Sequence, residues 1–193
     1  MPRSEDFNRD EVIDKAKDTF WFQGYNGTSM QDLVDATGLN RSSLYNSFGS
    51  KMELYQQSLN RYQVDNAQLF ERALQQNRNA IETIGLIFLY MLDDINGDSQ
   101  KKGCMMVNCG TELGNQNEAL AELLAADQKQ LVAIFEELVV KGQQDGSVHN
   151  HETSSRLAHY LLNAYRGFRI TGMQITDQDI LKSIIQNILK TIA

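Results

Sequence analysis

Between Thr28 and Lys51 the chain reads Thr-Ser-Met-Gln-Asp-Leu-Val-Asp-Ala-Thr-Gly-Leu-Asn-Arg-Ser-Ser-Leu-Tyr-Asn-Ser-Phe-Gly-Ser-Lys, a pattern that few folds accept. Thr28 and Gln31 match a T-x-x-Q capping box, which predicts a helix from Ser29. Met30, Leu33 and Val34 then share one helical face. Gly38 follows, where a left-handed residue can end the helix and turn the chain. Asn40 is a good N-cap for a second helix. In that helix Leu44 and Phe48 lie four residues apart and face inward. Two short helices about a glycine turn, the second polar along its other side, have the layout of a helix-turn-helix.

The polar side of the second helix carries the candidate binding chemistry. Arg41, Ser42, Tyr45 and Asn46 lie off the apolar face and offer groups that bond to base edges or phosphates. Thr28, Ser29, Asn40 and Ser43 complete the expected contact set, together with Lys51. Ser50 and Glu53 form an S-x-x-E box, so a further helix should begin at Lys51. A helix N-terminus that carries a lysine suits a phosphate. The plainer alternative is a helical hairpin with no nucleic-acid partner.

Charge is a partial objection. The chain of 193 residues has a net charge of −7, whereas nucleic-acid binders are usually basic. The distribution softens this: residues 40–62 carry +2, the first 39 residues −4 and residues 63–193 −5. Positive charge thus sits where the motif puts the DNA surface, and the acidic remainder would discourage docking elsewhere.

A single proline and regular apolar spacing predict an all-α protein. Asn8-x-x-Glu11 should cap a first helix to about Gln23. The fourth helix should run from Lys51 to about Gln76, and the fifth from Asn79-x-x-Glu82 to about Ile95. A loop follows over 96–103, then a short helix to about Leu113. Asn117 should cap a helix to about Val140, with a turn at 143–147. The last two helices should span about Thr153 to Thr171, ending at Gly172, and Asp177 to the end. There is no apolar run long enough to span a membrane and no charged-then-apolar leader, so a cytoplasmic protein is expected. No phosphate loop, nucleophile elbow or metal quartet is present, so neither an enzyme, a cofactor nor a metal site is expected. His149, His151 and Glu152 read as a solvated loop.

Ala16, Phe20, Gly24, Tyr25, Thr28, Leu33, Ala36, Gly38, Leu39, Ser43, Leu44, Tyr45, Phe48, Ser50, Lys51 and Leu54 together resemble the tetracycline-repressor (TetR) family of bacterial transcription regulators. Leu44-Tyr45-x-x-Phe48-x-Ser50-Lys51 is the most specific part. Ser47 departs from the pattern, because most members have His or Tyr there. Gly103-Cys-Met-Met-Val-Asn108 looks like a segment found in many members. The resemblance implies a three-helix DNA-binding domain over residues 1–62 and a ligand-binding and dimerisation domain over 63–193. It implies a homodimeric repressor with two partners, a double-stranded DNA operator and a small-molecule inducer.

The residues themselves supply material for both later jobs. In the last helix, Ile180, Ile184, Ile188 and Ile192 form one row and Leu181, Ile185 and Leu189 a second. That stripe is wide for one neighbour to cover. With Leu161 and Phe168 of the preceding helix, and Gly167 allowing close approach, Leu181, Ile184, Ile185 and Ile188 are the expected dimer interface, the alternative being that the stripe packs wholly inside one chain. Phe88, Cys104, Met105, Asn108, Phe135, Tyr165 and Phe168 are the expected ligand lining, although ordinary core explains any one of them. Cys104 and Cys109, near a helix start and after Lys101 and Lys102, raise a second possibility of thiol-based sensing through Cys104. A helical interaction protein that does not bind DNA is the alternative of another class.

Overall fold

The computed structural model describes residues 7–193. Among them the secondary structure is entirely helical: α1 (Arg9–Gln23), α2 (Met30–Thr37), α3 (Arg41–Phe48), α4 (Lys51–Leu74), α5 (Ala80–Gly97), α6 (Met105–Leu113), α7 (Glu118–Asp145), α8 (Ser154–Gln174) and α9 (Gln178–Ile192). They form two compact units. The first runs to Asp65 and takes in Met105–Leu120; the second comprises Asn66–Cys104 and Ala121–Ala193. The segment around α6 therefore belongs with the helix-turn-helix, although it lies far along the chain.

Side-chain caps start most helices. The Asn8 side chain accepts from the N–H groups of Asp10 and Glu11, Asn40 from Ser43, Asn79 from Glu82, and Asn117 from Leu120. Asp177 accepts from Asp179 and Ile180. Ser50 and Glu53 cap each other reciprocally. Each satisfies backbone donors that a helix leaves open. Gly38 ends α2 in the left-handed conformation, φ +76°.

Three local expectations need correction. The box at α2 is made by Ser29 and Asp32, one residue later than Thr28 and Gln31, and α2 starts at Met30. Both readings fit the letters; a carboxylate gives the stronger, charge-assisted bond to the cap N–H. Second, α7 continues to Asp145, past Val140, and stops at Gly146 with φ +76°. Third, α8 passes through Gly172 to Gln174. Gly172 packs against Ile95, where an added Cβ would lie 2.7 Å from Cγ2. Its small size serves close packing rather than helix termination.

In the first unit the core is built from Val12, Ala16, Phe20, Leu33, Leu44, Phe48, Leu54, Tyr55 and Leu59, with Met105, Met106, Cys109 and Leu113 from α6. Phe20 and Tyr55 meet edge to face at 5.0 Å, and Tyr25 lies 5.1 Å from Tyr55. Phe70, Ile84, Phe88, Phe135, Leu161, Tyr165, Phe168, Leu181 and Ile185 belong to the core of the second unit.

That second core overturns most of the expected dimer interface. Leu161 and Leu181 are completely buried within one chain, and Phe168, Ile185 and Ile188 nearly so. Ile184 is half-buried. Helical spacing identified the apolar stripe correctly, but α5 and α8 together cover it. Ile185→Asp should therefore cost about 3–5 kcal/mol of folding stability, because it buries an unpaired carboxylate in a packed core. Denaturant unfolding followed by circular dichroism measures this. Wild-type stability in the variant would contradict the packing of α9.

Candidate nucleic-acid interface

α3 presents a polar face because its apolar residues are spent inward. Leu44 and Phe48 are buried, while Arg41, Ser42, Tyr45 and Asn46 are exposed. The Arg41 guanidinium lies 5.9 Å from the centre of the Tyr45 ring, one turn on. Ser43 is half-buried, and its N–H donates to the Asn40 side chain at 2.8 Å. The Asn40 oxygen thus serves the cap, and its amide donors remain the part able to serve a ligand.

The start of α4 adds a cation to the same unit. Lys51 is its first residue, half-buried, with Nζ 4.3 Å from the centre of the Tyr25 ring. Burial draws its ammonium below the ordinary lysine range, against the opposing pull of the Glu112 and Asp32 carboxylates.

Thr28 does not belong among the contact residues. It is 1% exposed, and its hydroxyl donates to the Gly24 carbonyl at 2.6 Å. It supports the turn before α2 from within. Ser29 is exposed and caps α2.

The local charge count also changes. Arg61 makes a two-pronged bond to Asp14, with Nε and Nη2 at 2.9 and 3.0 Å from its two oxygens. Lys17 is 9% exposed and bonds to Asp14 and Asp65. For Asp14, burial raises the pKa, but hydrogen bonds from Lys17 and Arg61 more than reverse this and hold it below the ordinary range. These cations join α1 to α4 and do not add to a phosphate-facing surface.

Two supports were not foreseen from the sequence. Arg9 donates to the Ser47 carbonyl at 2.7 Å and to Gln57 at 3.1 Å, with its guanidinium 4.4 Å from the centre of the Phe48 ring. It thereby ties α1 to the end of α3. From α6, Glu112 accepts from the Tyr25 and Asn26 N–H groups at 2.9 and 2.6 Å. Helical periodicity signals neither bond, since the partners lie tens of residues apart.

Of the expected ligand lining, five residues fall in the second unit. Phe88, Phe135 and Phe168 are buried among aromatic neighbours. Phe88 meets Tyr165 at 6.3 Å and Phe168 at 6.0 Å, and Phe135 meets Tyr165 at 6.0 Å. The Tyr165 hydroxyl donates to Asn66 at 2.7 Å, and Arg169 reaches the same oxygen at 2.9 Å. Cys104 is buried and close enough to Tyr165 to influence its titration. Met105 and Asn108 stand instead on α6 in the first unit.

Cys109 departs from the expected activated thiol. It lies in the second turn of α6, fully buried, and burial pushes its pKa up despite a hydrogen bond with Tyr55. A helix N-terminus lowers a thiol pKa only within its first turn. Among the described residues, no group of three His, Cys, Asp or Glu side chains is placed to hold a metal ion, and no helix is long and apolar enough to cross a membrane.

Residues 12–57 match the family model described as bacterial regulatory proteins, tetR family. The chain is 28% identical over 184 residues to the uncharacterized HTH-type transcriptional regulator YezE of Bacillus subtilis (strain 168), covering 94% of each. It is 27% identical over 189 residues to the HTH-type transcriptional repressor ComR of Escherichia coli (strain K12), covering 97% of this chain and 90% of that protein. Its fold also matches a cysteine mutant of the TetR family transcriptional regulator CifR complexed with 26bp double-strand operator DNA. That likeness has a TM-score of 0.87 at 23% identity and covers 99% of this chain and 100% of the other. Residues 12–57 thus carry the region that marks bacterial regulatory proteins of the tetR family, in a chain similar over nearly its whole length to HTH-type transcriptional regulators and sharing its all-helical fold with a TetR family regulator.

Proposed function

We propose that this chain is a homodimeric, cytoplasmic repressor that binds an operator through α3 and leaves it when a small, mainly hydrophobic molecule enters the second unit. The observation that carries the DNA part is the exposed face of Arg41, Ser42, Tyr45 and Asn46, anchored from behind by buried Leu44 and Phe48. A rigid polar helix face of this size suits the major groove, whose base edges offer paired donors and acceptors. Lys51, at a helix N-terminus, suits a phosphate. The relative named as a repressor and the structural neighbour bound to operator DNA support the same reading.

The effector reading rests on a core rich in aromatic rings with one polar cluster, Asn66, Tyr165 and Arg169. An apolar pocket with a few convergent polar groups is the usual design for small-molecule recognition. The raised pKa of Cys109 weighs against a reactive thiol at that position.

For the dimer, the outward row is the better surface. On α8, Tyr160, Ala164, Gly167 and Thr171 follow helical spacing, as do Ile180, Ile184, Asn187 and Thr191 on α9; all are exposed or half-buried. Ile180 is 46% exposed, and an added Cβ on Gly167 would meet nothing of its own chain within 4 Å. Small and apolar residues that keep part of their surface open to solvent suit a two-fold helical interface.

Selection from a random DNA library tests the function directly. The wild-type protein should enrich an inverted repeat whose half-sites are separated by about one or two helical turns, roughly 10 or 20 base pairs. A pool that enriches no sequence would overturn the DNA-binding reading.

On the selected operator, Arg41→Ala should cost about 1–3 kcal/mol and relax preference at one base position. Lys51→Ala should weaken all sequences alike and flatten the salt dependence. Equal, sequence-independent losses from both would contradict base readout by Arg41.

Gly167→Gln separates the faces of α8. In an exposed helix interior it should stabilise folding by up to about 1 kcal/mol. In the proposed dimer it should instead split the protomers in sedimentation and lower operator affinity, with the helices intact. A fully dimeric variant would exclude this surface.

A further inference from the structure

We propose that Glu112 is a positioning residue for DNA binding: its carboxylate clasps the turn between α1 and α2 and holds the operator-facing elements in register. The proposal rests on the DNA-binding reading above. The carboxylate takes one backbone donor on each oxygen, the Tyr25 N–H at 2.9 Å on Oε2 and the Asn26 N–H at 2.6 Å on Oε1. Both donors lie just after α1, where the chain has left the helix and its amides have no intrahelical partner.

The turn is shaped around that carboxylate. Gly24 has φ +76°, and a Cβ there would stand 3.0 Å from Oε2 of Glu112. Glycine thus meets two demands at one position: a left-handed backbone and room for the clasp. Tyr25 then stacks toward Phe20 and Tyr55 and passes beneath the Lys51 ammonium. Thr28 closes the turn from within by bonding to the Gly24 carbonyl. Ser29 caps α2 and Lys51 opens α4, so the start of α2 and the proposed phosphate contact both border the clasped segment.

Charge and shape act in opposite directions here, which makes the proposal testable. Glu112 is an anion near Lys51 and draws on its charge. As a mere surface charge, it would oppose DNA, and removing it would tighten binding to any sequence. As a clasp, it favours the operator alone. A glutamine has nearly the same shape but only one acceptor; its amide donor would face one of the two N–H groups. An aspartate keeps the charge and loses reach by one methylene.

Wild-type protein, Glu112→Gln and Glu112→Asp would be titrated with the selected operator and with random-sequence DNA of equal length. Both variants should lose about tenfold in operator affinity, the size of one charge-assisted hydrogen bond. Random-sequence affinity should hold for the aspartate variant and hold or rise for the glutamine variant. Equal losses on both DNAs would indicate general destabilisation and overturn the proposal. Operator affinity at or above wild type in both variants would overturn it as well. Wild-type protein with no operator preference would instead sink the DNA-binding reading itself. Amide exchange on the wild-type protein gives a check that needs no variant. The Tyr25 and Asn26 amides should exchange well below their intrinsic rates, and unprotected amides would overturn the clasp.

Discussion

The first unit is organised around one buried phenol. Tyr55 of α4 touches Phe20 of α1 and Tyr25 of the following turn, and it lies near enough to the buried Cys109 thiol of α6 for each to shift the other's pKa. A buried tyrosine needs a partner for its hydroxyl, because leaving it unpaired in an apolar setting is costly. Cys109 stands beside that phenol from a segment more than fifty positions away in sequence. The same contact explains why α6 packs with the helix-turn-helix, and it brings Glu112, one turn further on, to the α1–α2 turn. In this setting Cys109 is a fully buried thiol whose pKa is raised by burial.

Much of this architecture was legible in the letters because helix starts carry their own chemistry. Asn8, Asn40, Ser50, Asn79, Asn117 and Asp177 sit at the caps that their side chains suit. The Thr28–Ser29 pair shows the limit of that logic. Two overlapping boxes satisfied the same rule, and the choice was made by Thr28 turning inward to the Gly24 carbonyl. Periodicity had a similar limit in α9. It identified which residues are apolar together, but spacing holds no information about which surface covers them. Packing by α5 and α8 placed Ile185 and Ile188 inside one chain and left Ile180 outside.

The candidate interface was legible for the same reason in α3, where Leu44 and Phe48 define the buried side and so its opposite. The supports were not. Arg9 on the Ser47 carbonyl and Glu112 on two backbone amides join distant segments through groups that every residue possesses. A side chain that bonds to backbone leaves no matching side chain to find in the sequence.

The ion-pair network of α1 and α4 also bears on how such a protein finds its site. Lys17 and Arg61 are committed to Asp14 and Asp65, Lys15 pairs with Glu11, and the whole chain is acidic. Attraction to arbitrary DNA grows with the number of phosphates that cations can neutralise. Among the described residues, the proposed DNA face offers Arg41 and Lys51 as such cations. Encounters with non-cognate DNA would then be brief, with little sliding along the duplex and frequent return to solution. The chain would search by many short visits, and recognition would depend on the fit of α3 at each one.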